Sequence, residues 1–290
     1  MEAQKRAPAM AAILAAAALW GVIGLWNRKL MAAGLSPYSI VVVRNLGGMA
    51  LLVLFFAVKD RSVFRVERRC LKYFFGTGVV SVLLFTVCYF SCQKLCSLAA
   101  ASILLYTAPS FVVLLSAALW KEPVSGKKLL ALLLTLLGCA CVCGVFDRGL
   151  SVTLPGILLG LGSGFFYALY SIFGRYALAH CPPLTVTVWT FLFAGPASLV
   201  LFRPAELGAA FGGNPSLLGT ALVLAAFSTA APYILYTWGL ARIEPGRASI
   251  LASLEPVVAA LTGILAFGEP MSPATVLGML CVLAGVTILR

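Results

Sequence analysis

The chain has 290 residues, of which 62% are hydrophobic and 10% charged, with a mean hydropathy of +1.04. Soluble domains carry about 25% charged residues, so an ordinary soluble globule is excluded. The net charge of +12 lies mostly in segments between apolar runs, which makes it a topology signal rather than a nucleic-acid surface.

Ten apolar segments follow in order, near 9–30, 38–58, 72–92, 98–119, 128–146, 154–179, 184–202, 216–239, 247–266 and 274–289. Each is about long enough to cross the roughly 30 Å of a hydrocarbon core. The alternating segments of about ten residues that mark a membrane β-barrel are absent. The expected fold is therefore all-α: a polytopic membrane protein with ten transmembrane helices.

The first segment follows Lys5 and Arg6, exceeds the roughly 7–15 apolar residues of a secretory signal and lacks a convincing cleavage site. We expect it to be retained. Its Trp20, Gly24 and Asn27 share one helical face. The second segment buries Arg44, and the third ends on Tyr89 and Gln93. Tyr106 and Pro109 lie in the fourth, Tyr170 in the sixth, Trp189 in the seventh, and Tyr236 and Trp238 in the eighth. The ninth holds Glu255 and Pro256. Trp26 and Trp120 fall nearer the ends of their segments, where tryptophan usually anchors the interface.

An N-terminus in the cytoplasm places fifteen Lys and Arg residues in inside segments and five in outside ones, with Arg44 left within a helix. The excess of basic residues predicts cytoplasmic termini at both ends. Nine cysteines scattered through apolar helices do not form a disulfide framework. The sole histidine, His180, offers them no partner for a metal. Gly160-Leu-Gly-Ser-Gly164 lacks the preceding strand and the following Lys-Ser/Thr of a phosphate loop, and reads as a close helix contact. No cofactor is expected. An enzyme is a poor reading, with Asp60 and Asp147 as the only aspartates and no clustered acids.

An offset of 147 aligns Pro109 with Pro256, Tyr89 with Tyr236 and Ser102 with Ser249. It also aligns Glu122-Pro123 with Glu269-Pro270, Gly138 with Gly285 and Arg28 with Arg175. The chain thus reads as two homologous units, 1–147 and 148–290, of five helices each. Five is odd, so the units enter the membrane from opposite sides. Inverted repeats are the architecture of alternating-access transporters, with substrate near the midplane. The paired prolines each remove a hydrogen bond to the carbonyl four residues earlier and predict kinks facing the interior. Ala108 precedes the first proline and Glu255 the second, so the proline belongs to the scaffold and the carboxylate is unique.

Arg44 and Glu255 are the ionisable residues well inside segments. A charge at the centre of a membrane helix costs at least about 2.5–3.5 kcal/mol, so each must face protein or water. Glu255 has three readings: proton carrier, counter-ion to a cationic substrate, or permanent partner of Arg44.

The run LYTWGLARIEPGRASILASLEPVVAALTGILAFGEPMSPATVLGMLCVLAGVTIL resembles the C-terminal half of an EamA unit of the drug/metabolite transporter superfamily. Its marks here are Tyr236, Glu255-Pro256, Gly268-Glu269, Gly278 and Gly285. SILLYTAPSFVVLLSAALWKEPVSGKKLLALLLTLLGC repeats the pattern, with Trp120-Lys121 where Leu-Gly is usual. LWGVIGLWNRKL resembles the family's opening helix, and Arg44 matches its second-helix arginine. The resemblance implies a ten-helix carrier of the bacterial inner membrane with a central cavity between the units. It also makes a shared structural or coupling role for Glu255 more fitting than substrate selection.

The expected function is secondary transport of a small polar metabolite, an amino acid or related zwitterion, driven by a gradient such as protons or by exchange. Arg44 or Asn27 would meet a carboxylate, Glu255 an amine or a proton, and aromatics such as Trp20, Tyr89, Tyr106 and Tyr236 the carbon skeleton. The alternative is an organic cation carrier in which Glu255 is counter-ion within an aromatic cage. The expected partners are a small-molecule substrate and the lipid bilayer, with no nucleic acid.

Overall fold

A computed structural model describes residues 2–145 and 151–289, with side chains from residue 6 onward. The unit boundary at 147/148, and with it Asp147 and Arg148, lies outside the described residues, as do Arg290 and the Lys5 side chain. All regular elements among the described residues are helical. Eight helices are long and apolar enough to span a membrane: α1 (Arg6–Ala32), α2 (Pro37–Lys59), α3 (Arg68–Leu95), α4 (Leu98–Trp120), α6 (Leu154–Leu178), α7 (Pro183–Leu201), α8 (Leu217–Leu240) and α9 (Pro245–Phe267). Two shorter apolar helices, α5 (Gly126–Val142) and α10 (Pro273–Ile288), complete the ten. A short helix, Pro204–Gly213, connects α7 to α8.

Local chemistry sets the boundaries. Ser36, Ser97, Ser125, Thr153 and Ser272 each accept a hydrogen bond from the amide three residues on, satisfying a donor that the first turn leaves open. Helices α4 and α9 end on left-handed residues at equivalent positions, Lys121 (φ 53°) and Gly268 (φ 66°). Glycine adopts this conformation freely, whereas a side chain resists it. Lys121 thus keeps the backbone geometry of the Gly it replaces in the pattern.

Helix contacts follow the repeat. Adding five to each helix number turns the α1–α8 contact into α6–α3, and α1–α9 into α6–α4. The α2–α7, α4–α9 and α5–α10 contacts map onto themselves, and all of these are present. Equivalent helices run in opposite directions, so the molecule is two inverted five-helix units about a pseudo-two-fold axis. At the α5–α10 crossing, a Cβ on Gly138 would lie 2.7 Å from the Gly278 carbonyl oxygen, and one on Gly278 2.7 Å from that of Gly138. Only glycine lets the two backbones approach so closely.

The helices carrying the paired prolines are both broken beside them. Around Pro109 the helix breaks at Tyr106–Thr107, and around Pro256 it breaks at Ser253–Leu254. There the Ser253 amide donates to the Ile250 carbonyl (3.1 Å) and the Leu254 amide to Leu251 (3.2 Å). Each proline then takes the second position of the restarted helix, where its missing N–H leaves no helical bond unmade. A second pair of irregularities lies at matching places in α3 (76–83) and α8 (226–230), where the backbone widens into π turns, a form common at functional sites.

Candidate functional site

Two broken helices cross at the centre of the molecule. Helix α1 is interrupted at Val22, next to Gly21. A Cβ on Gly21 would stand 2.5 Å from Val258 Cβ and 2.8 Å from the Glu255 carbonyl oxygen. The absent side chain lets α1 lie directly on the restarted part of α9. Glu255 is the first residue of that segment, so its carboxylate stands at the positive end of a new helix N-terminus. The proline break and the carboxylate are therefore linked: one creates the dipole end that the other occupies.

Glu255 faces a cavity of about 570 Å³ between the two units. Arg44, from α2, lines the same cavity, as do Trp20 and Asn27 from α1, Tyr89 from α3 and Tyr106 from α4. Glu255 stands near Tyr167, and Arg44 near Tyr233. Among the described residues no salt bridge joins Arg44 to Glu255. Arg44 Nε and Asn27 Oδ1 are buried without a hydrogen-bond partner, an uncommon condition for buried polar atoms. The cavity presents a guanidinium and a carboxyl group to the same space.

The other predicted residues form the floor or lie beyond it. Trp20 meets the Tyr233 ring edge-on at 5.2 Å and Tyr236 at 5.5 Å. Tyr170 packs on Tyr233 at 5.0 Å and shares a 2.7 Å hydrogen bond with Thr237, while Tyr236 shares one of 2.8 Å with Ser171. Tyr170 and Tyr236 are thus floor residues, buried and hydrogen-bonded, and do not line the cavity. Trp189 stacks on Phe74 at 5.6 Å and donates its indole N–H to the Val63 carbonyl at 3.2 Å. Trp238 lies under the Arg242 guanidinium at 3.8 Å. Both tryptophans stand away from the cavity. Of the two interfacial candidates, Trp120 rests on Tyr176 at 5.0 Å. Trp26 instead packs against the buried cluster around Leu30 and Leu35.

The cavity opens at the end of the molecule opposite the N-terminus, where Arg28 pairs with Glu269 and covers the Phe267 ring at 4.0 Å. Gln93 also lines this mouth. The other end is shut. There Lys128 Nζ donates to Glu122 Oε1 (2.6 Å), to Glu244 Oε2 (3.0 Å) and to the Pro123 carbonyl (3.0 Å). The Lys128 and Glu122 side chains are 7% and 8% exposed, so this ion pair is sealed from water. Burial pushes the Glu122 carboxyl above its ordinary range. Burial is the largest single influence on Glu244 and pushes it the same way, but the bonds to Lys128 and Glu122 and the charges of Lys128 and Arg247 together outweigh it, and its carboxyl is held below the ordinary range.

Tyr167, Thr86 and Tyr233 also line the cavity and were not among the candidates. The 147-residue offset points to Tyr167, since it carries Trp20 onto it; it also pairs Thr86 with Tyr233. The correspondence is not general: Tyr89 lines the cavity and its counterpart Tyr236 does not.

Comparison with known proteins places this geometry in context. The EamA-like transporter family matches residues 7–144 and again 154–290. An uncharacterized transporter of Archaeoglobus fulgidus is 32% identical over 96% of this chain and 94% of its own. The threonine/homoserine exporter RhtA of Salmonella typhimurium is 30% identical over 85% of this chain and 79% of its own. A crystal structure superposes on 98% of this chain and 96% of its own with a TM-score of 0.82, at 20% identity, a likeness of fold.

Proposed function

The chain belongs to the EamA-like transporter family and is a membrane transporter rather than an enzyme; from that premise we propose that it carries a small zwitterion of the amino-acid class by alternating access. The observation that carries this reading is the pair Arg44 and Glu255, which face one cavity without an ion pair between them. A substrate carboxylate suits the planar fork of Arg44, and a substrate ammonium suits Glu255. The cavity volume falls within the roughly 300–1,000 Å³ of small-molecule sites. The similarity to a threonine/homoserine exporter supports the same substrate class.

The basic excess in alternate segments supports cytoplasmic termini. In that orientation the cavity opens outward, and the Lys128 cluster closes the cytoplasmic side. Exchange of the two units' conformations would open the opposite side. A purely cationic substrate would satisfy Glu255 but confront Arg44 with like charge, so the zwitterion is the better match.

The test is counterflow in liposomes holding the purified protein, without ATP. Vesicles loaded with threonine or homoserine should accumulate the labelled amino acid. Amines lacking the carboxylate should compete poorly. Absence of counterflow for every member of an amino-acid panel would overturn the substrate class, and efficient competition by simple amines would favour the cation carrier.

A further inference from the structure

A second recess, of about 260 Å³, lies at the closed end and has no part in the central cavity. Arg6 from the start of α1, Arg175 from the last turn of α6, and Arg242 and Arg247 beside the α8–α9 turn converge on it, with Glu244 as the only acidic residue of its lining among the described residues. Glu244 is already engaged by Lys128, so Arg175, Arg242 and Arg247 outnumber the carboxylate beside them.

Basic residues that merely fix topology are spread along a loop, as Arg61, Arg65, Arg68 and Arg69 are here. These four instead come from three separated parts of the chain. Arg242 is held in place, donating to the Trp238 carbonyl at 2.7 Å while stacking on that ring. The α9 N-terminus at Pro245 adds positive potential to the same recess. Clustered guanidinium forks match the bidentate geometry of phosphate oxygens, and basic recesses between membrane helices suit phospholipid headgroups.

We propose that this recess binds a phosphate-bearing anion, as a phospholipid headgroup or a soluble phosphate, and that the bound anion braces the closed end. The recess joins α1 of the first unit to α6 and the α8–α9 turn of the second. An occupant therefore favours the conformation in which these elements stand together. The inference does not depend on what the central cavity carries.

Hydrogen exchange on the full-length protein tests it. Nanodiscs of phosphatidylcholine alone are compared with nanodiscs that also contain phosphatidylglycerol, and with phosphatidylcholine nanodiscs plus inorganic phosphate. Phosphatidylglycerol or phosphate should slow exchange about tenfold at residues 6–12 and 241–248. The double variant Arg175→Gln/Arg247→Gln should lose that response, and Arg203→Gln, at the opposite end, should keep it. A response to phosphatidylglycerol alone identifies the lipid as the source, and a response to phosphate identifies a soluble anion. No response to either probe in the unaltered protein overturns the proposal, and so does an equal response in the double variant. If the double variant does not fold, the unaltered protein and Arg175→Gln alone decide.

Discussion

The two ends of the molecule are built from equivalent residues and held in opposite ways. At the closed end, Glu122 meets Lys128 and Glu244 in a cluster whose core is sealed from water. At the open end Glu269, the repeat counterpart of Glu122, meets only Arg28 among the described residues, and those side chains are 38% and 53% exposed. Thr275 stands where the repeat places the equivalent of Lys128, and Ser97 where it places that of Glu244. Closing the open end by the same motion would thus build no matching lock. The comparison teaches that the backbone carries the symmetry and the charges break it. Under the proposed alternating access, this contrast favours the conformation open opposite the N-terminus.

The largest effect should come from breaking the buried lock. Lys128→Met leaves Glu122 buried without its cation, which costs about 3–5 kcal/mol and should lower the thermal unfolding midpoint sharply. The double variant Lys128→Met/Glu122→Gln should recover much of that loss, and no recovery would sink the account of the pair.

Next come the central charges. Charge-assisted hydrogen bonds contribute about 1.5–3 kcal/mol each. Glu255→Gln and Arg44→Met should each reduce amino-acid counterflow about 10- to 100-fold, with little change in the unfolding midpoint. Counterflow near the unaltered rate in both variants would remove these residues from the site.

Lys121 and Gly268 compare the two ends at the backbone. Left-handed geometry costs a residue with a side chain about 1–2 kcal/mol, so Lys121→Gly should stabilise the protein by up to about 1 kcal/mol after the added chain entropy. Gly268→Lys should destabilise it by a similar amount. Equal and negligible effects would show that neither cap is strained.

Smaller still, Glu269→Gln removes an exposed pair that contributes at most about 1 kcal/mol. A loss as large as that of Lys128→Met would contradict the contrast between the ends.

The last expectation concerns pH at the open end. Glu206, on the connector between α7 and α8, accepts from the Ser36 amide at 3.0 Å, the Ser39 hydroxyl at 2.6 Å and Arg203 at 3.0 Å. The Ser36 and Ser39 bonds dominate in pulling its carboxyl from 4.5 down to about 2. A depressed value stabilises the fold above the unfolded-state pKa, and that contribution is lost as pH falls through the folded one. The midpoint difference between the unaltered protein and Glu206→Gln should therefore hold at neutral pH and close as pH falls from 4.5 toward 2. A gap that widened on acidification would refute the cap.

The helices were legible because apolar runs and Ser/Thr caps are local. Their predicted spans lie within a few residues of α1 to α10. The breaks at Pro109 and Pro256 were legible for the same reason. The π turns in GTGVVSVL and AFSTA carry no such mark, since a widened turn is decided by the helix packed beside it. Gly78, for one, presses within 2.4 Å of the Thr190 carbonyl oxygen, measured from an added Cβ.

Arg44, Glu255 and Asn27 could be singled out because a charge or amide in an apolar run is conspicuous. Tyr167 and Tyr233 carried no local mark that set them apart from the other aromatics of the apolar runs. Lys128 looked like one more basic residue at a helix edge. Its burial depends on Glu244, 116 residues away, which no local pattern reveals. Tyr89 and Tyr236 are equivalent in sequence, yet one lines the cavity and the other the floor. A single conformation assigns them different tasks, which the proposed alternating access would exchange.

The α5–α10 crossing has a consequence for how motion in this protein can be measured. Gly138 meets Gly278, and an added Cβ on Gly285 would lie 2.8 Å from the Ala131 carbonyl oxygen. Under the 147-residue offset these two contacts are one contact seen twice. The axis relating the units therefore passes between them, through the neighbourhood of Leu134 and Cys281. Points on an axis stay put when what it relates trade places. A label pair at this crossing supplies a fixed ruler, against which displacements at the Glu122 and Glu269 ends can be read as equal in kind and opposite in sense.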